Sequence, residues 1–258
     1  MAKRDHAKIR ALRAGCCALL RAVCECVPRS QTIAGMTDVN GLLDRVHALI
    51  AAGQHRDEVP GLPGALTGEG VFSGGRRLYH RGTEAFAAAA EGLLDRLPSP
   101  PPPASTTEIE EAESLVGAPL PRLLKGLYAV ANGGFGPGYG LLGLRGGFTD
   151  DLHRTAIHIL DGVPRGLWPG MPASLLPLCQ WGCAIYSFVH CPSGRLYGWD
   201  PNPDDVPFFE QEYLLDDWIK AWLDGSLQQP WVTFDPQTRT YRGATIEETR
   251  AAMADNPD

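Results

Sequence analysis

The sequence lacks several features that would assign it to a class at once. It has no uninterrupted run of about 18 apolar residues, which excludes an obvious transmembrane helix. Residues 1–29 have a basic front, but Arg13 and Arg21 interrupt any long apolar stretch, which argues against a secretory signal. We therefore expect a cytoplasmic protein that does not bind a membrane.

The cysteines of the chain do not have the spacing of a known cysteine motif or of a metal site. The chain has 7 cysteines, an odd number, and no C-x-x-C pair. Cys183, His190 and Cys191 are close in sequence, but they are too few and wrongly spaced for the four ligands of a zinc site. We expect reduced, structural cysteines, with neither a metal ion nor a cofactor.

Positive charge is scarce in the C-terminal part of the chain. Residues 104–258 hold 10 Lys and Arg against 20 Asp and Glu, a net charge of −10. Residues 1–103 hold 13 against 10, a net charge of +3, which gives −7 for the whole chain. Phosphate backbones require Lys and Arg, so the acidic part argues against nucleic acid and suits a basic protein partner.

A proline-rich segment marks the clearest boundary. "LPSPPPPAS", residues 97–105, contains four consecutive prolines, which favour extended backbone. We interpret residues 98–104 as a spacer or an extended arm on the surface, between a helical N-terminal extension (1–97) and a domain (105–258). Residues 1–35 differ in composition from the rest, and Met36 is an alternative start.

The extension contains three helical patterns and one hairpin pattern. The helices are predicted over residues 5–27, 38–52 and 83–97. "GVFSGGRRLYHRG", residues 70–82, predicts a small hairpin.

The domain predicts helices first, then a meander of strands, then helices. Thr107 and Glu110 suggest a capping box for a helix that ends at Gly117, and a second helix runs from Pro121 to Asn132. Strands are predicted over 141–144, 175–182, 184–190, 195–200 and 208–213, followed by a helix over 214–225, a hairpin, and a last helix capped by Thr245 and Glu248. We expect an α+β fold with a mixed, mainly antiparallel sheet of about five to six strands flanked by helices.

The run "NGGFGPGYGLLGL", residues 132–144, raises the question of a phosphate loop. Gly138, Gly140 and Gly143 match G-x-G-x-x-G, but they follow a predicted helix and precede a predicted strand. The dinucleotide motif has the reverse order, because its helix N-terminus binds the pyrophosphate. We therefore interpret this run as a rigid corner.

The corner supplies the first candidate binding residues. Asn132 and Gly134 end the helix, and Tyr139 is the large side chain that a rigid loop would hold at its rim. The alternative is that Tyr139 packs onto Trp181 or Trp199, and both can hold together.

Loops supply the other candidates. "WDPNPDD" places Asp200, Asp204 and Asp205 in one turn, either as ordinary turn residues or as an acidic rim for a basic partner. Trp168, in "GLWPGMP", is the candidate interfacial anchor. Adjacent carboxylates such as Asp150 and Asp151 suit acid–base catalysis poorly, and no G-x-S-x-G or H-E-x-x-H motif is present.

Three segments carry a family resemblance. "IEEAESLVGAPLPRLLKGLYAVANGGFGPGYGLLGL", then "LLPLCQWGCAIYSFVHCPSGRLYGWD" and "LLDDWIKAWLDG", resemble the SMI1/KNR4 (SUKH) family in their order and spacing. The resemblance covers about residues 105–225. It implies a mixed sheet flanked by helices. It also implies, for bacterial members, an immunity protein that neutralises a toxin domain, often a nuclease or deaminase; fungal relatives act as scaffolds.

The sequence thus predicts a non-catalytic protein-binding module. We expect an immunity protein that occludes a basic toxin domain, with Asn132, Gly134, Tyr139, Trp168, Asp200, Asp204 and Asp205 as candidate contacts. A regulatory scaffold without a toxin partner is the alternative, and a hydrolase is a third.

Overall fold

The computed structural model describes residues 38–56, 71–73, 76–78, 99–150, 152–162, 171–182, 184–201 and 208–254. All of them belong to one compact unit, Asp38–Asp258. The predicted helices over 5–27 and 83–97, the alternative start at Met36, and the candidate contacts Trp168, Asp204 and Asp205 lie outside the described residues.

The described part contains helices on both sides of the proline-rich segment. They are α1 (Val39–Ala51), α2 (Thr106–Val116), α3 (Arg122–Val130), α4 (Ala156–Gly162), α5 (Leu215–Leu223) and α6 (Ile246–Ala254). Helix α1 packs against α3 and α5, so its apolar side joins the same core as the helices that follow the prolines. No helix among the described residues is long and apolar enough to cross a membrane.

The strands form one sheet and two separate hairpins. They are β1 (Val71–Ser73), β2 (Arg76–Leu78), β3 (Leu175–Gly182), β4 (Ile185–His190), β5 (Arg195–Trp199), β6 (Phe209–Leu214), β7 (Val232–Asp235) and β8 (Thr240–Gly243). Strands β3 to β6 pair in chain order as a four-stranded antiparallel sheet, whereas β1–β2 and β7–β8 are two-stranded. The α+β class is confirmed, and among the described residues the main sheet has four strands where five to six were expected.

The predicted strand over 141–144 is wrong. Leu141 forms only an isolated bridge with Cys179 of β3, flanked by hydrogen bonds from Tyr139 N to Gln180 O (3.0 Å) and from Leu142 N to Leu178 O (2.7 Å). Gly143 N then turns to Phe148 O (2.8 Å), so the backbone leaves the sheet after one bridge.

The core lies between this sheet and the helices. Every residue of β3 is buried, and β4 is buried up to His190. The largest fully buried side chains include Trp218 and Trp222 of α5 and Tyr128 of α3. Burial of large aromatic and aliphatic side chains stabilises the fold in proportion to the apolar area removed from water.

The proline-rich segment is an extended arm fixed to the domain by its backbone. Pro102 O accepts a hydrogen bond from Asn132 N (3.0 Å), and Ala104 N donates to Tyr128 O (2.9 Å). The arm therefore lies along the end of α3, in agreement with one of the two interpretations of this segment.

The described cysteines fit a structural role. Cys179 and Cys191 are both buried. Burial raises the pKa of the Cys191 thiol to about 12, so this thiol stays protonated at neutral pH.

Helix α2 begins two residues earlier than the sequence suggested. The Ser105 hydroxyl accepts from Glu108 N (3.3 Å), and the Glu108 carboxylate accepts from Ser105 N (2.7 Å), so the capping box is Ser105–Glu108 and not Thr107–Glu110. Both registers occur in "STTEIEE", and the structure has the first, directly after the Ala104 N–Tyr128 O hydrogen bond of the arm. Gly117 ends the helix in the left-handed conformation, as predicted.

This register gives a test with a matched control. Ser105→Ala removes the hydroxyl acceptor and should lower the free energy of unfolding by about 1 kcal/mol. Thr107→Ala, inside the first helical turn, should change it by less than about 0.5 kcal/mol, because alanine favours a helix interior. Urea denaturation of both variants measures the difference, and a larger loss for Thr107→Ala would contradict the assigned cap.

Candidate functional site

The glycine-rich corner, residues 132–144, is buried along its whole length. Gly133 has φ of +81°, and a Cβ on it would collide with the carbonyl oxygen of Leu141 and the amide nitrogen of Gly143. Glycine is needed there both for its conformation and for close approach of two backbone segments. The space at this position is filled by the chain itself, which supports the interpretation as a structural corner.

Asn132 is the polar centre of the corner. Its Oδ1 accepts from Leu144 N (2.7 Å), and its Nδ2 donates to Glu108 Oε1 (3.2 Å). Its backbone oxygen accepts from Phe148 N (2.9 Å). One residue, 4% exposed, thus connects helix α2 to both sides of the turn that follows the corner through its side chain and its backbone.

Arg56 also holds the corner, and no pattern in the sequence indicates this role. Its Nε donates to Gly134 O (2.8 Å), and its guanidinium lies 4.5 Å from the centre of the Phe148 ring. Next to it, His55 O accepts from Gly136 N (2.8 Å). Arg56 follows the end of α1 outside any periodic pattern, so only the tertiary structure reveals its role.

Tyr139 does not stand at a rim. It is 6% exposed, and the neighbouring Gly138 lies against the Trp181 ring and Gln180 O. Trp181 in turn donates from Nε1 to Ser187 Oγ (2.8 Å) and meets Trp218 edge-on. The burial agrees with the packing interpretation, because a side chain with so little exposed surface offers little to a partner.

The structure brings together only part of the predicted set. Asn132, Gly134 and Tyr139 share the buried corner, with Gly134 N donating to Leu141 O (2.8 Å). Asp200 follows the last residue of β5 and is 7% exposed. The predicted contact role of Trp168, Asp204 and Asp205 stays a prediction.

Asp150, a carboxylate considered for catalysis, has a structural role. Its Oδ1 accepts from the backbone nitrogens of Leu152 (2.9 Å) and Arg154 (2.8 Å). Its Oδ2 accepts from Arg154 Nε and from Tyr186 OH, both at 3.0 Å. Four donors on one buried carboxylate fix the turn before α4 against strand β4.

An open cleft of about 510 Å³ lies where α1 ends beside the proline arm. Its lining comprises residues 50–53, His55, Ser99 and Pro100. His55 is the titratable side chain among these described residues, whereas general acid–base catalysis commonly uses two such groups. No group of three or more potential metal ligands occurs in the described ranges.

The C-terminal hairpin presents an aromatic and acidic surface that the sequence analysis missed. Trp231, Phe234 and Tyr241 are 57%, 50% and 44% exposed. Arg242 binds Glu248 through both terminal nitrogens (2.8 and 2.6 Å) and also interacts electrostatically with Asp235 and Glu212. The three aromatic residues of "WVTFDPQTRTYRG" were the available signal.

Comparisons with protein-family models, with curated proteins and with solved structures find no match to this chain.

The Asn132 network predicts a large stability effect from one buried amide. Asn132→Ala leaves the buried Leu144 N–H without its acceptor and should lower the free energy of unfolding by about 1–3 kcal/mol. Ser114→Ala, at an exposed position of α2, is the control and should change it little. Chemical denaturation measures both, and equal stability of the two variants would contradict the role of Asn132.

The Arg242–Glu248 pair predicts a pH effect on the start of α6. The side-chain hydrogen bond from Arg242, with the backbone hydrogen bond from Thr245, lowers the pKa of Glu248 to about 2. A carboxylate whose pKa is lowered by folding stabilises the fold above its ordinary pKa, 4.5, and this contribution is lost as the pH falls through about 2.

The carboxyl carbon signal of Glu248 followed by NMR should therefore titrate near pH 2. In Arg242→Gln its midpoint should move up towards the ordinary value, because the main cause of the shift is removed. An unchanged midpoint in that variant would show that the pair does not form in solution.

Proposed function

We propose that the chain is a non-catalytic protein-binding module of the SMI1/KNR4 (SUKH) kind, acting in the cytoplasm as an immunity protein that binds and occludes a basic toxin domain. The resemblance of residues 105–225 to that family suggests the class. The charge of the same part of the chain suggests the chemistry of the partner.

The observation that carries the proposal is that the few Lys and Arg side chains of the acidic part are mostly paired with carboxylates. Within the described ranges, most Lys and Arg side chains after residue 104 bind a carboxylate of the same chain. The pairs are Lys125–Glu113, Arg145–Glu111, Arg154–Asp150, Arg195–Glu210, Lys220–Asp224 and Arg242–Glu248.

Carboxylates therefore dominate the exposed surface of this part of the chain. Residues 104–258 have a net charge of −10, and Glu110, Asp161, Asp217 and Glu247 are among their exposed side chains. Such a surface attracts a basic protein and speeds its association, while a nucleic acid or an anionic membrane is repelled.

The buried corner has a supporting role in this proposal. Asn132, Gly134 and Tyr139 hold the backbone of the domain, and exposed residues make the contacts to a toxin. Trp168, Asp204 and Asp205 stay predicted contacts. Inhibition results from covering the active site of the toxin, so it needs no reaction on this chain.

The test uses toxin domains encoded beside the gene for this chain. Co-expression of the full chain should restore growth of cells that produce the cognate toxin, and the purified chain should abolish the toxin's activity at an equimolar ratio. The association rate should fall steeply with rising ionic strength, because screening weakens charge steering. Most of the six ion pairs lie at the surface, where such pairs stabilise a fold little, so the chain alone should keep its fold over the same salt range.

Two outcomes would contradict the proposal in different ways. Stable binding to a protein that is not a toxin, with no rescue of growth, would favour the regulatory scaffold. Turnover of a substrate by the purified chain would favour an enzyme.

A further inference from the structure

A small cleft lies at the base of the C-terminal hairpin. Its lining comes from β6, from the connection between α5 and β7, and from the start of α6, and it includes Glu212, Gln228 and Trp231. Its volume is about 30 Å³. That is room for about two water-sized groups, far below the roughly 300–1,000 Å³ of small-molecule sites.

Two residues of the cleft, Glu212 and Gln228, have unused capacity to accept hydrogen bonds. The Oε1 atom of Gln228 is buried and receives no hydrogen bond from any described residue. Glu212 accepts from Ile246 N (2.9 Å) through one carboxylate oxygen, and an ionised carboxylate has about four acceptor sites in all. A buried acceptor without a donor is costly, so the cleft favours a group that brings N–H donors.

Trp231 adds an exposed aromatic face to these acceptors. Its side chain is 57% exposed, while its backbone oxygen accepts from Ala244 N (2.8 Å), which fixes the position of the residue. A tryptophan ring attracts a cation placed over its face.

The surrounding charge is negative. Arg242 is the neighbouring cation, and both of its terminal nitrogens are bound to Glu248, while Glu212 and Asp235 act on it from further away. Three carboxylates thus act electrostatically on one guanidinium. A cation that enters the cleft would therefore be attracted on balance, in spite of Arg242.

We propose that the cleft of Glu212, Gln228 and Trp231 binds a lysine side chain of a basic protein partner. An ammonium group is compact and carries three donors, which suits a cleft of this size better than a planar guanidinium. The negative charge of this chain disfavours a second copy of itself as the occupant. The inference rests on the proposed function, for which it names a point of contact with the toxin domain.

The test uses the full chain and N-acetyl-lysine methylamide as the probe. Titration should shift the NMR signals of the Trp231 indole N–H and of the amides of Glu212, Gln228 and Ile246. The norleucine analogue, which lacks the ammonium group, should give no shifts, and the arginine analogue should bind more weakly.

Two variants and a control locate the site. Glu212→Gln keeps an oxygen acceptor for Ile246 N but removes the charge, and should weaken binding about tenfold, as expected for loss of a charge-assisted hydrogen bond. Trp231→Leu keeps an apolar side chain and should also weaken it. Glu110→Gln, an exposed carboxylate on α2, should have no effect.

Three results would overturn the inference. They are an unchanged lysine affinity in Glu212→Gln, equal binding of the norleucine analogue, and shifts at these residues that depend on protein concentration alone. Because this assay contains no toxin, its result is separate from the growth test. Growth rescue by Glu212→Gln at the wild-type level would refute the contact and leave the immunity function standing. Lysine binding to the cleft without any rescue of growth by the wild-type chain would support the cleft and refute the immunity function.

Discussion

The hydrogen bonds of Asn132 are the interactions on which the rest of the domain depends. A run of glycines has little side-chain surface to bury, so its conformation must be fixed by backbone contacts and by a few polar groups. Asn132 supplies an acceptor for Leu144 N and a donor for Glu108, while its own backbone binds the proline arm and Phe148. The first helix of the domain, the arm and the corner are therefore ordered together.

The ordered corner covers an edge of the sheet. Strand β3 is at one end of the sheet order, and the corner binds it through Tyr139 N and Leu142 N. At the other end, the β7–β8 hairpin contacts β6, where Gly243 lies close to the Phe209 ring. Covered edges do not offer unpaired backbone groups to other chains. The exposed aromatic rings of the hairpin are thus part of an element that also protects the sheet.

The sequence predicted the elements whose pattern is local. The apolar runs of β3 and β4, the turn before β5, the stripe of α3 and the cap of α6 all follow from spacing and turn chemistry, and all are confirmed. The errors arose where tertiary contacts decide. "LLGL" has the composition of a strand, yet Gly143 directs its backbone to Phe148.

The candidate site was less predictable than the fold. Tyr139 had two interpretations, a position at the rim of a rigid loop and packing onto Trp181 or Trp199, and its burial favours packing. Arg56 and Glu212 contact partners tens of residues away, and no local pattern indicates such contacts. Burial and long-range pairing are properties of the folded chain, so a single sequence constrains them weakly.

Arg56 and Pro101 both lie against Gly134, the first through a hydrogen bond and the second by close contact. The two ends of the intervening segment therefore meet at one point of the domain. The entropy of closing a loop grows only with the logarithm of its length. A change in the number of residues between Arg56 and Pro101 therefore alters the entropy of closing this segment only slightly, which makes the junction a suitable place for insertions.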